Sequence, residues 1–136
     1  MARSHRITFH LDQEVNALLI RGRARDRIPA ARRLRAGLEL WHDDAEFRIK
    51  VDQAAVVLRR DRRGRRRADQ TVKLDVCPEA EVHAALTRAR GDDQLCAADR
   101  LRAVVQLWAS DPHSRELIDA RAVNLLPVGT GSAARE

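Results

Sequence analysis

Two cysteines, Cys77 and Cys96, are too few to staple a small fold, so a disulfide framework is excluded as its organising element. Aromatic residues make up only 3% of the chain, which leaves the core to aliphatic side chains. Lysine occurs only at Lys50 and Lys73; arginine carries nearly all the positive charge. No apolar run approaches the roughly 20 residues that span a bilayer. The opening Met1-Ala2-Arg3-Ser4-His5-Arg6 leads into no stretch of signal-peptide length, so an intracellular chain with no membrane partner is expected. There is no phosphate-binding glycine loop, nucleophile elbow or paired-carboxylate signature, so neither an enzyme nor a cofactor is expected. Cys77, His83 and Cys96 match no familiar zinc spacing; buried cysteines and a surface histidine are expected instead of a metal site.

What is present is charge and repetition. The 136 residues suit one compact domain or two very small ones. Apolar residues reach 44%, charged residues 34%, and the net charge is +6, a balance that favours an anionic partner. Trp108 lies 67 residues after Trp41 (108 − 41), and the same offset carries Arg33-Leu34-Arg35-Ala36 onto Arg100-Leu101-Arg102-Ala103. It also carries Val15, Ala17, Leu19, Arg21 and Arg23 onto Val82, Ala84, Leu86, Arg88 and Arg90. Consecutive matches at one offset indicate an internal duplication.

Each copy opens with strict alternation. Ile7, Phe9 and Leu11 interleave with Arg6, Thr8 and His10; Val72, Leu74 and Val76 interleave with Thr71, Lys73 and Asp75. Period two marks a strand with one buried face. Aligning the strands requires two extra residues in copy two before its first helix. That helix is expected to carry a stripe of Val15, Leu18, Leu19 and Gly22 in copy one, with Asp12 as N-cap. In copy two the stripe is Val82, Ala85, Leu86 and Ala89, with Pro78 at the first helical position and Gly91-Asp92-Asp93 as punctuation. The second helix steps by three, four, three along Ala31, Leu34, Leu38, Trp41 and along Ala98, Leu101, Val105, Trp108, which places both tryptophans in the core. Ser110-Asp111-Pro112, and its weaker counterpart His42-Asp43-Asp44, announce a third helix in each copy.

A lone strand leaves its backbone groups unpaired, and a lone helical hairpin cannot bury its stripe. Two copies meet both needs if the strands pair antiparallel over a shared helical core. The expected fold is therefore mainly α with a two-stranded antiparallel β-ribbon. Its parts are a first copy over 1–58, an Arg-rich linker over 59–70, a second copy over 71–126 and a disordered tail over 127–136. In this arrangement Arg6, Thr8, His10, Thr71, Lys73 and Asp75 all point outward from the ribbon.

Over Arg6 to Trp41 and Thr71 to Trp108 the chain resembles the ribbon-helix-helix family of DNA-binding proteins, the class of Arc and MetJ, here as two fused copies forming a single-chain pseudo-dimer. That resemblance implies a ribbon inserted in the major groove of double-stranded DNA, with those six residues as base readers. Arg and Lys suit guanine O6 and N7, Thr the thymine methyl, and Asp the cytosine N4 amino group. The family often opens its second helix with a small polar residue, where backbone N–H groups hold a phosphate. Pro29 and Cys96 stand there instead, which puts the anchor from copy one in doubt.

The segment Arg59-Arg60-Asp61-Arg62-Arg63-Gly64-Arg65-Arg66-Arg67 holds seven Arg and one Asp, a net of +6; the rest of the chain, with 19 basic and 19 acidic residues, balances. Such a run is either a solvated tether or a set of phosphate contacts. With Arg3, the arginines at 59, 60, 62, 63, 65, 66 and 67 are the candidate DNA-backbone contacts. Residues 1–58 carry a net of +3 and residues 68–136 a net of −3, so a fused pseudo-dimer need not recognise a palindrome. The expected function is sequence-selective DNA binding, most simply transcriptional regulation by a cytoplasmic, nucleoid-associated repressor; plasmid-maintenance or antitoxin roles would use the same module. Further self-association on DNA stays open. The alternatives are a protein-interaction module tethered by the Arg run, and a nonspecific nucleic-acid binder that uses that run alone.

Overall fold

The computed structural model describes residues 5–62 and 71–125. The chain is mainly helical, with one two-stranded antiparallel sheet. The first half contains strand β1 (Ile7–Asp12) and helices α1 (Gln13–Asp26), α2 (Ala30–Asp43) and α3 (Ala45–Arg62). The second contains β2 (Thr71–Val76), α4 (Ala80–Asp93), α5 (Ala97–Ser110) and α6 (Pro112–Val123). The helix starts at 13, 30 and 45 recur at 80, 97 and 112, the 67-residue offset of the sequence matches.

β1 and β2 pair from Ile7 opposite Val76 to Asp12 opposite Thr71. Phe9, Leu11 and Val76 are buried beneath the ribbon, with Ile7 and Leu74 packed against the same core and Val72 half-buried. The alternation thus translates directly into an inner apolar face and an outer polar one.

Each first helix ends in a left-handed residue, Arg27 (φ 65°) and Gln94 (φ 66°), a conformation uncommon outside glycine. The Asp before each turn supplies a local bond. Asp26 Oδ1 accepts from the Ile28 N–H and Asp93 Oδ1 from the Leu95 N–H, both at 3.0 Å. The break is thus made at Gln94, and Gly91 lies inside α4 rather than ending it. α4 opens at Ala80 behind Glu79, two residues later than Pro78 suggests, because Pro78 is buried in the approach from β2. Asp12 is the last residue of β1, and its side chain makes no cap bond to α1. The third helices start at the expected acidic caps: Asp44 Oδ1 accepts from the Phe47 N–H at 3.0 Å, and Asp111 receives the Ser114 hydroxyl at 2.6 Å.

One core joins the halves. Leu34, Leu38 and Trp41 of α2 and Leu101, Val105 and Trp108 of α5 are buried; Ala31 is exposed, because in the first turn of α2 it is Ala30 and Arg33 that face the core. The third helices cross over: α3 packs mainly on α5 and α6 on α2. Where α2 meets α5, Gly37 faces Val104, its own counterpart at the 67-residue offset. A Cβ on Gly37 would lie 2.3 Å from Val104 Cγ1. The two helices approach this closely because one partner at the crossing has no side chain.

The crossover is held by buried arginines that hydropathy would have placed outside. Arg33 donates from Nε to Asp119 Oδ1 (3.0 Å), from Nη1 to the Ile28 carbonyl (2.8 Å) and from Nη2 to Asp26. Arg100 repeats the pattern with Asp52 (3.1 Å), the Leu95 carbonyl (2.6 Å) and Asp93. Asp52 and Asp119 also accept the indole N–H of Trp41 and Trp108, each at 2.9 Å. Every Arg–Asp–Trp set therefore takes its Arg from one half and its Asp and Trp from the other. Removing one member of such a set leaves a charge or a donor buried without its partner.

Candidate nucleic-acid interface

The outer face of the ribbon brings the six expected reader positions together, and pairing sets them in rungs. Thr8 stands opposite Asp75, His10 opposite Lys73, and Asp12 opposite Thr71. Thr8, His10, Lys73 and Asp75 are exposed, and Thr71 is half-buried. Arg6 is exposed and sits one residue before β1. Asp12, read from the sequence as a helix cap, is exposed on this same face, a position that the alternation Thr8, His10, Asp12 could have revealed.

The rungs are chemically unlike. The Thr8 hydroxyl donates to Asp75 Oδ1 at 2.6 Å, and Arg6 Nη1 lies 3.9 Å from Asp75 Oδ2. These are exposed groups, and the Arg6 contact is worth little in water. The ribbon is pinned to the body from behind: Arg102 of α5 donates from Nε to the His10 carbonyl at 2.9 Å and lies 3.4 Å from Asp99 Oδ1. A strand fixed at its backbone and packed on its inner face presents its outer side chains from a rigid support.

No family model, curated protein or solved structure matches the chain.

Among the candidate backbone contacts that the structure describes, Arg59 and Arg60 lie on α3, apart from the ribbon residues. Arg3, Arg63, Arg65, Arg66 and Arg67 lie outside the described residues, as does the tail beyond Leu125. The segment 59–62, assigned to the linker from sequence, continues helix α3. Arg60 is exposed there, and Arg62 ends the helix. Arg59 Nη1 donates to the Gln94 carbonyl at 2.7 Å, at the far end of α4 from β2. Fourteen residues of helix span about 21 Å, so Arg59 sits about that far from the end of α4 that follows the ribbon.

The starts of the second helices also differ. Pro29 is the N-cap of α2, outside the helix, and α2 has no acidic residue in its first turn. At the start of α5, Asp99 Oδ2 accepts from Cys96 N–H (3.1 Å) and Sγ (3.3 Å), so a carboxylate already occupies that N-terminus. Position 32, the counterpart of Asp99, is arginine.

Trp41 and Trp108 are buried, as their stripes imply. Their rings carry Arg48 (4.1 Å) and Arg115 (4.5 Å) respectively, in addition to the buried arginines. Cys77 is exposed and Cys96 half-buried, against the expectation of two buried thiols; Cys77 lies between buried Val76 and buried Pro78, in the outward phase of Lys73 and Asp75. His83 is half-buried, its ring 4.8 Å from that of His5. Among the described residues no cluster of three or more potential metal ligands occurs, and no helix is long and apolar enough to cross a membrane.

Proposed function

We propose that the chain is a single-chain ribbon-helix-helix pseudo-dimer that binds double-stranded DNA by laying β1 and β2 in the major groove, and that it acts as a transcriptional regulator. The observation that carries this reading is the pairing of β1 with β2 in a register that sets Thr8, His10, Lys73 and Asp75 on one exposed face. The major groove, about 12 Å wide, admits a two-stranded ribbon. The basic run that begins in the last turn of α3 supplies sequence-independent attraction to phosphates. The difference between the starts of α2 and α5 supports unequal halves: Asp99 repels a phosphate at α5, whereas α2 has no such acid.

A reader is tested by removing it. Arg6→Ala is expected to weaken binding to a selected duplex by about 1–3 kcal/mol and to flatten preference at one base position. Equal loss on selected and scrambled duplexes would make Arg6 a phosphate contact, and no loss on either would end its role. A second reading, a protein-docking module, draws support from Ile49, Val56 and Val57, exposed on α3. The polar outer face of the ribbon favours DNA over that reading.

A further inference from the structure

We infer that the two outward rungs of the ribbon read bases of opposite hydrogen-bonding character. The rung of Thr8 and Asp75 selects a base that offers an amino group, cytosine N4 or adenine N6, and the rung of His10 and Lys73 selects guanine through O6 and N7. This assignment rests on the DNA-binding reading above and adds which base chemistry each rung takes.

The argument starts from the proton on Thr8. A threonine hydroxyl has one hydrogen to donate and two lone pairs to offer. Its hydrogen is committed to Asp75 Oδ1 at 2.6 Å. What Thr8 presents outward is lone pairs and a methyl group, and an ionised Asp75 can only accept. This rung is therefore an acceptor. A guanine edge in the major groove, with acceptors at N7 and O6, would meet lone pair against lone pair; an amino group would be bonded. The neighbouring rung is the reverse. Lys73 carries three donors and no acceptor, and His10 has at least one ring N–H in any protonation state. Both side chains are exposed and stand opposite each other.

Two identical strands could not produce this difference. Ile7, Phe9 and Leu11 correspond to Val72, Leu74 and Val76, an offset of 65 residues, so Thr8 is the counterpart of Lys73 and His10 of Asp75. Antiparallel pairing joins Thr8 to Asp75 and Lys73 to His10. In a symmetric dimer the two rungs would carry the same pair; here fusion has let them diverge. Successive rungs on one face are two residues apart, about 6.7 Å, close to two base-pair rises of about 3.4 Å. The chain should thus read a short non-palindromic core, with an amino-bearing base about two steps from a guanine contact.

The test is selection from a randomised duplex pool, followed by titration of the enriched duplex at fixed salt, for the wild-type chain, Asp75→Ala, and the double variant Thr8→Lys with Asp75→His. Both changed side chains, Thr8 and Asp75, are exposed, and thermal melts verify folding. The wild-type chain should enrich an asymmetric core, cytosine or adenine being identified by the selected base itself. Replacing that base by thymine or guanine should cost about tenfold in affinity. Asp75→Ala should lose this discrimination. The double variant, whose two rungs both become Lys with His, should enrich a palindromic core with guanine in each half. If Asp75→Ala enriches the wild-type core with undiminished discrimination, or the double variant keeps an asymmetric one, the rung assignment is overturned while DNA binding stands. If the wild-type chain enriches no sequence, the DNA-binding reading fails and the rung assignment falls with it.

Discussion

Gly37→Ala should destabilise the protein even though alanine is the better helix former. The added Cβ would lie 2.3 Å from Val104 Cγ1 and 3.1 Å from Cγ2, where carbon atoms settle at about 3.5–4.0 Å. Relieving that overlap requires α2 and α5 to separate by about 1 Å, and they carry Leu34, Leu38, Trp41, Leu101, Val105 and Trp108, all buried. Overpacking of a filled core costs about 1–3 kcal/mol. Alanine recovers up to about 1 kcal/mol of helix propensity, which leaves a net loss of up to about 2 kcal/mol. Gly91→Ala is the matched control. It is the same substitution within a helix, but nothing lies within 4 Å of the added Cβ, so a gain of about 0.5–1 kcal/mol is expected. Val104→Ala in the Gly37→Ala background should restore part of the loss by removing both methyl groups that the new Cβ meets. Urea unfolding of the wild type and the three variants measures all of this. A Gly37→Ala protein as stable as the Gly91→Ala protein would refute the close crossing of α2 and α5.

Asp52→Ala strips the acceptor shared by Arg100 and Trp41 and should cost about 2–5 kcal/mol by denaturant unfolding; a change within about 0.5 kcal/mol would show that the crossover does not depend on it. Thermal stability should fall on acidification. Burial raises the Asp26 carboxyl, but bonds from Arg33 and the Ile28 N–H, with the Arg33 and Arg25 charges, outweigh it and leave the group below its ordinary value. Asp43 is likewise raised by burial and lowered further by Arg121 and His42, and Asp111 is lowered by the Ser114 hydroxyl and Lys50. Depressed carboxylates stabilise the fold fully above their unfolded values, about pH 4, and lose that contribution as pH falls through the lower native values. Melts between pH 6 and pH 2 should therefore be level at first and drop below about pH 4; an unchanged melting temperature throughout would contradict the pairing. Replacing Arg62, Arg63, Arg65, Arg66 and Arg67 with Gln should weaken binding to all duplexes alike and flatten its salt dependence, because fewer counterions are released; loss confined to one sequence would make the run a reader.

The ribbon and the repeating helices were legible because their signals are periodic. Alternation at Ile7–Leu11 and Val72–Val76 fixes which face is buried, and the recurring Leu–Trp stripes fix α2 and α5. The polar interior was not legible. Arg33 and Arg100 stood out only as matched positions, since their partners Asp119 and Asp52 lie on helices of the opposite half, and no local spacing announces a contact made by crossing over. Gly91 suggested a helix end because glycine usually marks one, but the carboxylates of Asp26 and Asp93 make the turns at Arg27 and Gln94. In the candidate site, alternation located the outward residues. The commitment of the Thr8 proton to Asp75 required the strand register, which depends on pairing across 67 residues.

Backbone amide shifts recorded while a duplex is added to the labelled chain test most directly whether the outer face of the ribbon meets DNA. Shifts concentrated at residues 6–12 and 71–76, with α3 from Ala45 to Leu58 unmoved, are the expected result. Shifts centred on Ile49, Val56 and Val57 with the ribbon silent would contradict the account.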